Sequence, residues 1–94
     1  MADDFNKKLE EYRKEIDRID KAIVDYVNER AKIVLEIKRL KKKNNIPLYD
    51  AEREEELLDN IAKYNKGPLY NDNVVQIFES ILRNVQILER GEEL

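Results

Sequence analysis

Four charged residues stand on an otherwise apolar helical stripe, and chemistry is most readily sought there. Stepping by four and three from Leu9 gives Arg13, Ile16, Asp20, Ile23, Val27, Arg30, Val34, Ile37 and Lys41. At about 3.6 residues per turn these positions share one face, so Arg13, Asp20, Arg30 and Lys41 point where a core belongs. A charge removed from water is costly unless it meets an opposite one. Three of these four are cationic, so the partner they require is an anion that the sequence does not contain. A second anomaly lies near the other end of the chain, where Phe78, Leu82, Val85 and Glu89 step by four, three and four and place a carboxyl on an apolar stripe.

Spacing sharpens the reading. Arg30 and Lys41 are three helical turns apart, about 16 Å along an axis, and two long side chains reaching toward each other leave a gap the size of a small dianion. Arg13 is roughly 25 Å from Arg30 and cannot join that site within its own chain. An antiparallel partner helix would bring a second copy's Arg13 to it. The bland alternative is that one polar residue at a heptad core position sets register or snorkels to water, which suffices for Arg13 or Asp20 taken alone. It is weaker for Arg30 and Lys41, since at Arg30 the stripe crosses a second one running Tyr12, Ile16, Ile19, Ile23, Tyr26, Arg30, Ile33, Ile37 and Leu40. The bland reading of Glu89 is a solvated carboxylate at a helix end close to Gly91.

Composition removes most other chemistry. The 94 residues include no cysteine, histidine or threonine, and Ser80 is the sole serine. Disulfides and thiolate chemistry are absent, hydrolytic triads and zinc sites are nearly excluded, and no cofactor or metal is expected. Charged residues make up 41% of the chain, yet the net charge is only −3, which argues against a general nucleic-acid binder and suits a cytoplasmic protein. The cluster Lys38, Arg39, Lys41, Lys42 and Lys43 is better read as solvated helix-end chemistry than as a nucleic-acid patch. The acidic N-terminus and the lack of a run of about 18 apolar residues give no sign of a signal peptide or membrane span.

The elements that must position these residues are three helices, one long and two short, in a single all-α domain over 1–94. From about 4 to 43 the chain has neither Gly nor Pro, and both stripes lie on this helix. Its rise, roughly 60 Å, exceeds the roughly 26 Å diameter of a compact domain of this size, so the helix needs another chain beside it. Asn44-Asn45-Ile46-Pro47 breaks it. Asp50 is the expected N-cap of a helix over about 51–65, with Leu57, Leu58, Ile61 and Tyr64 as its apolar face. Gly67-Pro68 ends that helix, and Asp72 is the expected cap of a third over about 72–90.

With these residues placed, the chain resembles the all-helical class of chorismate mutase. The resemblance rests on Arg13 in Tyr-Arg-Lys-Glu-Ile-Asp, Asp20 in Arg-Ile-Asp, Arg30 in Asn-Glu-Arg, and Ile37 and Lys41 in Glu-Ile-Lys-Arg-Leu-Lys. It continues through Ile-Pro-Leu-Tyr-Asp-Ala-Glu-Arg-Glu from Ile46 to Glu54. It covers nearly the whole chain, and its most specific part is the spacing of Arg13, Arg30, Lys41, Asp50, Arg53 and Glu54.

The resemblance implies an intertwined helical-bundle homodimer with two sites, each completed by Arg13 of the other copy. Arg30 and that Arg13 would clamp the two carboxylates of chorismate, while Lys41 would contact a carboxylate and the ether oxygen. Asp50, through its backbone, and Glu54 would hold the ring hydroxyl, with Arg53 in support. Ile37, Leu82 and Val85 would line the site, Val85 standing where some relatives carry a hydroxyl residue. Glu89 would face the ether oxygen from the side opposite Lys41, and it donates only when protonated. The implied reaction is the Claisen rearrangement of chorismate to prephenate, which needs no nucleophile, metal or cofactor. A fixed conformer and donors at the ether oxygen are enough. The resemblance extends to mutase domains joined to 3-deoxy-heptulosonate-phosphate synthase, so fusion or association with that enzyme is expected. Two alternatives stand beside this reading: a non-catalytic dimeric scaffold or regulatory module, and an isochorismate-pyruvate lyase, against which Asp50 and Glu54 argue.

Overall fold

The computed structural model describes residues 2–89 and 91. Three helices follow one another, α1 (Ala2–Lys43), α2 (Ala51–Tyr64) and α3 (Asn71–Glu89), and there is no strand among the described residues. None of the three is long and apolar enough to cross a membrane. Arg90, which the sequence reading put at the end of the third helix, lies outside the described residues. The chain divides into two units at the Ala31–Lys32 step.

The first unit is the N-terminal part of α1. Asp3 and Asp4 sit in its first turn, where negative charge complements the helix dipole. Much of the apolar stripe faces solvent here: Ile16 is 55% exposed and Ile23 53%. Arg13 and Asp20 are exposed as well, whereas Leu9, Val27 and Arg30 are half-buried.

The second unit holds the rest of α1 with α2 and α3. Lys41, Lys42 and Lys43 occupy the last turn of α1, where cations suit the dipole. The helix stops in a Schellman turn. Asn45 takes φ 59°, its N–H donates to Lys42 O at 3.2 Å, and the N–H of Ile46 donates to Lys41 O at 2.8 Å. Asparagine tolerates this left-handed geometry better than most residues, and Pro47 then prevents the helix from resuming. Asp50 caps α2 with its carboxylate, which accepts from the Arg53 N–H at 3.0 Å. Beyond α2, the Asn65 side chain donates to Leu69 O at 2.7 Å and to Asn71 Oδ1 at 2.9 Å, and accepts from the Gly67 N–H at 3.2 Å. Gly67 lies at φ 79°, a conformation that favours glycine.

Two sequence expectations are corrected here. Asp72 is not the cap of α3, which already begins at Asn71; the Tyr70 carbonyl accepts the N–H groups of Asn73 and Val74, and Asp72 adds its charge within the first turn. Tyr64 does not join the apolar face of α2. It is 76% exposed, with Lys66 Nζ 5.7 Å from its ring centroid, because α2 ends there and the chain turns away.

Helices α2 and α3 pack on one another, with Leu57, Leu58 and Ile61 of α2 and Val74, Val75, Phe78, Ile81, Leu82 and Leu88 of α3 half-buried. Only Val85, at 8%, is buried among the described apolar residues. Covering a large apolar side chain is worth about 1.5–3 kcal/mol, so a chain that leaves so many uncovered retains a strong drive to associate.

Candidate active site

The start of α2, the end of α3 and the segment before α2 enclose a pocket of about 290 Å³ lined by Leu48, Tyr49, Glu54, Gln86 and Glu89. The Asp50 cap sets the first turn of α2, and Glu54 follows one turn later, its N–H donating to Asp50 O at 3.1 Å. Gln86 and Glu89 are three residues apart on α3 and so share a face. The Gln86 amide donates to Glu54 Oε2 at 3.4 Å, joining the two helices across the pocket. The last turn of α3 is tied down at Leu88, whose carbonyl accepts from the Gly91 N–H at 3.0 Å and from Lys38 Nζ at 3.4 Å. The turn that carries Glu89 is therefore anchored to α1 within this unit.

Lys41 is half-buried, and its Nζ donates to Leu48 O at 3.1 Å, at the edge of this region. Ile37 is 45% exposed. The Asp50 carboxylate is engaged in its cap, and Arg53 reaches Glu56 at 3.1 Å in an exposed pair of little energetic weight. Leu82 is half-buried and Val85 is buried. None of these six residues lines the pocket. Arg13 and Arg30 belong to the other unit, where Arg13 is exposed and Arg30 half-buried. The Arg30 Nη1 atom is shielded from solvent and has no hydrogen-bond partner among the described residues.

Sequence reasoning missed Leu48, Tyr49 and Gln86. The first two precede the Asp50 cap, in a stretch with no periodicity to assign them a face. Gln86 did carry a signal: it is an amide four residues after Leu82 and three before Glu89, with apolar Val85 and Ile87 on either side. No group of acidic side chains among the described residues has the arrangement of a metal site.

Compared with known proteins, residues 12–90 match the family described as chorismate mutase type II. The chain is 32% identical over 85 residues to the chorismate mutase of Methanocaldococcus jannaschii, covering 89% of this chain and 86% of that one. It is 39% identical over 88 residues to the bifunctional chorismate mutase/prephenate dehydratase of Aquifex aeolicus, covering 89% of this chain and 24% of the relative. It thus spans about a quarter of the length of such bifunctional relatives. Form II of the chorismate mutase from Thermus thermophilus superposes with a TM-score of 0.87 at 32% identity, over 93% of this chain and 99% of that one. The sequence reading looked to fusions with 3-deoxy-heptulosonate-phosphate synthase, whereas these bifunctional relatives carry prephenate dehydratase.

Proposed function

Because the chain belongs to the chorismate mutase type II family, we propose that it converts chorismate to prephenate as a homodimer with two shared sites. The observation that carries this reading is the Arg30 guanidinium, whose Nη1 is shielded and unpaired among the described residues. A desolvated cation without a partner is a standing cost in the empty protein, and a carboxylate removes it. Arginine's planar fork suits a carboxylate in particular.

The rearrangement is intramolecular. One carbon–oxygen bond breaks as one carbon–carbon bond forms, no atom enters or leaves, and negative charge grows on the ether oxygen on the way. In this reading Arg30 and Arg13 of a second copy hold the two carboxylates and so select the compact conformer. Lys41 supplies a donor at the ether oxygen, where it stabilises the transition state more than the ground state, and Glu89 faces the same atom from the opposite side. Glu54, with the backbone of Asp50, takes the ring hydroxyl, Arg53 supports them, and Ile37, Leu82 and Val85 shape the apolar wall.

The exposed stripe on the first unit of α1 supports the dimer. Ile16, Ile19, Ile23 and Tyr26 are open to solvent in one chain, and an antiparallel copy would cover them while delivering its Arg13. Residues 1–94 would then act as one catalytic domain. The disappearance of chorismate in the presence of the purified chain tests the function; no turnover would leave the scaffold reading. A bifunctional relative that makes prephenate and then dehydrates it fits the same chemistry, so a prephenate-consuming enzyme is the partner we expect.

A further inference from the structure

We propose that Gln86 is the positioning residue for the substrate's ring hydroxyl, acting through Glu54; this rests on the chorismate mutase reading above. Glu54 and Gln86 are both half-buried and come from different helices. The Gln86 Nε2 to Glu54 Oε2 bond of 3.4 Å is the side-chain hydrogen bond that Glu54 makes among the described residues. An ionised carboxylate only accepts, so the Gln86 amide must turn its NH₂ toward it, and its direction follows without ambiguity. That bond engages one oxygen of Glu54 and biases the direction of the carboxylate. The other oxygen is left to accept a hydrogen bond from a hydroxyl of a ligand in the pocket that both residues line.

A bond to the ring hydroxyl is made alike in the bound substrate and in the transition state, because the hydroxyl takes no part in bond breaking. Loss of its positioning therefore appears in KM rather than in kcat.

The competing role is a structural latch between α2 and α3, and Gln86→Met separates the two. Methionine keeps the length of the side chain and removes the donor. Steady-state kinetics with chorismate, thermal midpoints and a double-mutant cycle with Glu54→Ala are measured on the full chain. The expected result is a KM raised roughly tenfold with kcat changed less than about twofold, as for a hydrogen bond to a charged group. In the Glu54→Ala background the same replacement should change KM by less than about twofold. An unchanged KM with a lowered midpoint makes Gln86 a latch and overturns the proposal, as does an equal effect in both backgrounds. If Gln86→Met does not fold, Gln86→Glu keeps size and polarity while replacing the donor by a repelling carboxylate, and an unchanged KM there is equally fatal. An unsubstituted chain that converts no chorismate would overturn the functional reading itself, and the proposal with it.

Discussion

The ammonium group of Lys41 donates to the backbone carbonyl of Leu48 across 3.1 Å, tying the last turn of α1 to the segment that feeds α2. A lysine expected to meet a ligand therefore also holds in place the stretch that contributes Leu48 and Tyr49 to the pocket. An ammonium has three donors, so one bond to Leu48 leaves two for a substrate.

Lys41→Met should lower kcat/KM by about 100- to 1000-fold, the usual cost of removing a preorganised donor from a site of developing negative charge. Lys41→Arg keeps the charge but replaces a compact ammonium with a planar fork, and should recover less than about a tenth of the activity. Near-normal turnover in both variants, by chorismate disappearance, would assign Lys41 to the loop alone.

Arg30 should show opposite effects on stability and activity. Arg30→Met removes a half-buried cation whose Nη1 is unpaired among the described residues, so the ligand-free variant should melt no lower than the parent while losing activity by orders of magnitude. A dianionic analogue of the substrate should raise the parent's melting temperature, by about 2.7 kcal/mol of added stability at 100 times its Kd, and leave the variant unmoved. Equal ligand-induced shifts in the two proteins would rule Arg30 out as a carboxylate clamp.

Arg13 provides the test of sharing. Light scattering at micromolar concentration should give the mass of two chains. Arg13→Ala and Arg30→Ala chains, each inactive alone, should regain activity after subunit exchange, since each heterodimer contains one intact site. Demonstrated exchange without recovery would place Arg13 outside the site.

Glu89 is tested by the contrast between an amide and a methyl in its place. In the proposed site its side chain faces the ether oxygen, where a hydrogen-bond donor stabilises the growing charge. Glu89→Gln supplies a donor of nearly the same shape and should retain activity, whereas Glu89→Ala should lower kcat/KM by about 100- to 1000-fold. Equal kcat/KM in the parent, Gln and Ala proteins would mean that Glu89 acts only at the surface.

Much of the architecture was legible because helical periodicity and helix breakers are local signals. The long unbroken stretch of α1, the Asn44–Pro47 stop and the Asp50 cap all follow from residue type and spacing. Asp72 misled because an acidic residue suits both a cap and a first turn, and the choice was made by the Tyr70 carbonyl, which no pattern marks. The charged rungs of α1 were conspicuous because charge on an apolar stripe is anomalous by itself. Gln86 was less so, since a neutral amide between Leu82 and Glu89 is a weak signal until Glu54 is found opposite it. Likewise, Lys38 read as one cation in a basic cluster, and only the packing of α3 brings the Leu88 carbonyl to it.

The scarcity of buried side chains, with Val85 alone among the described residues reaching 8%, has a consequence for how the protein behaves on dilution. If most of the core forms only when two copies meet, folding is a second-order event, and its midpoint shifts with the amount of chain present. Halving the concentration then removes more than half of the catalyst. In a cell that makes little of it, abundance itself would set how much of the chain is assembled.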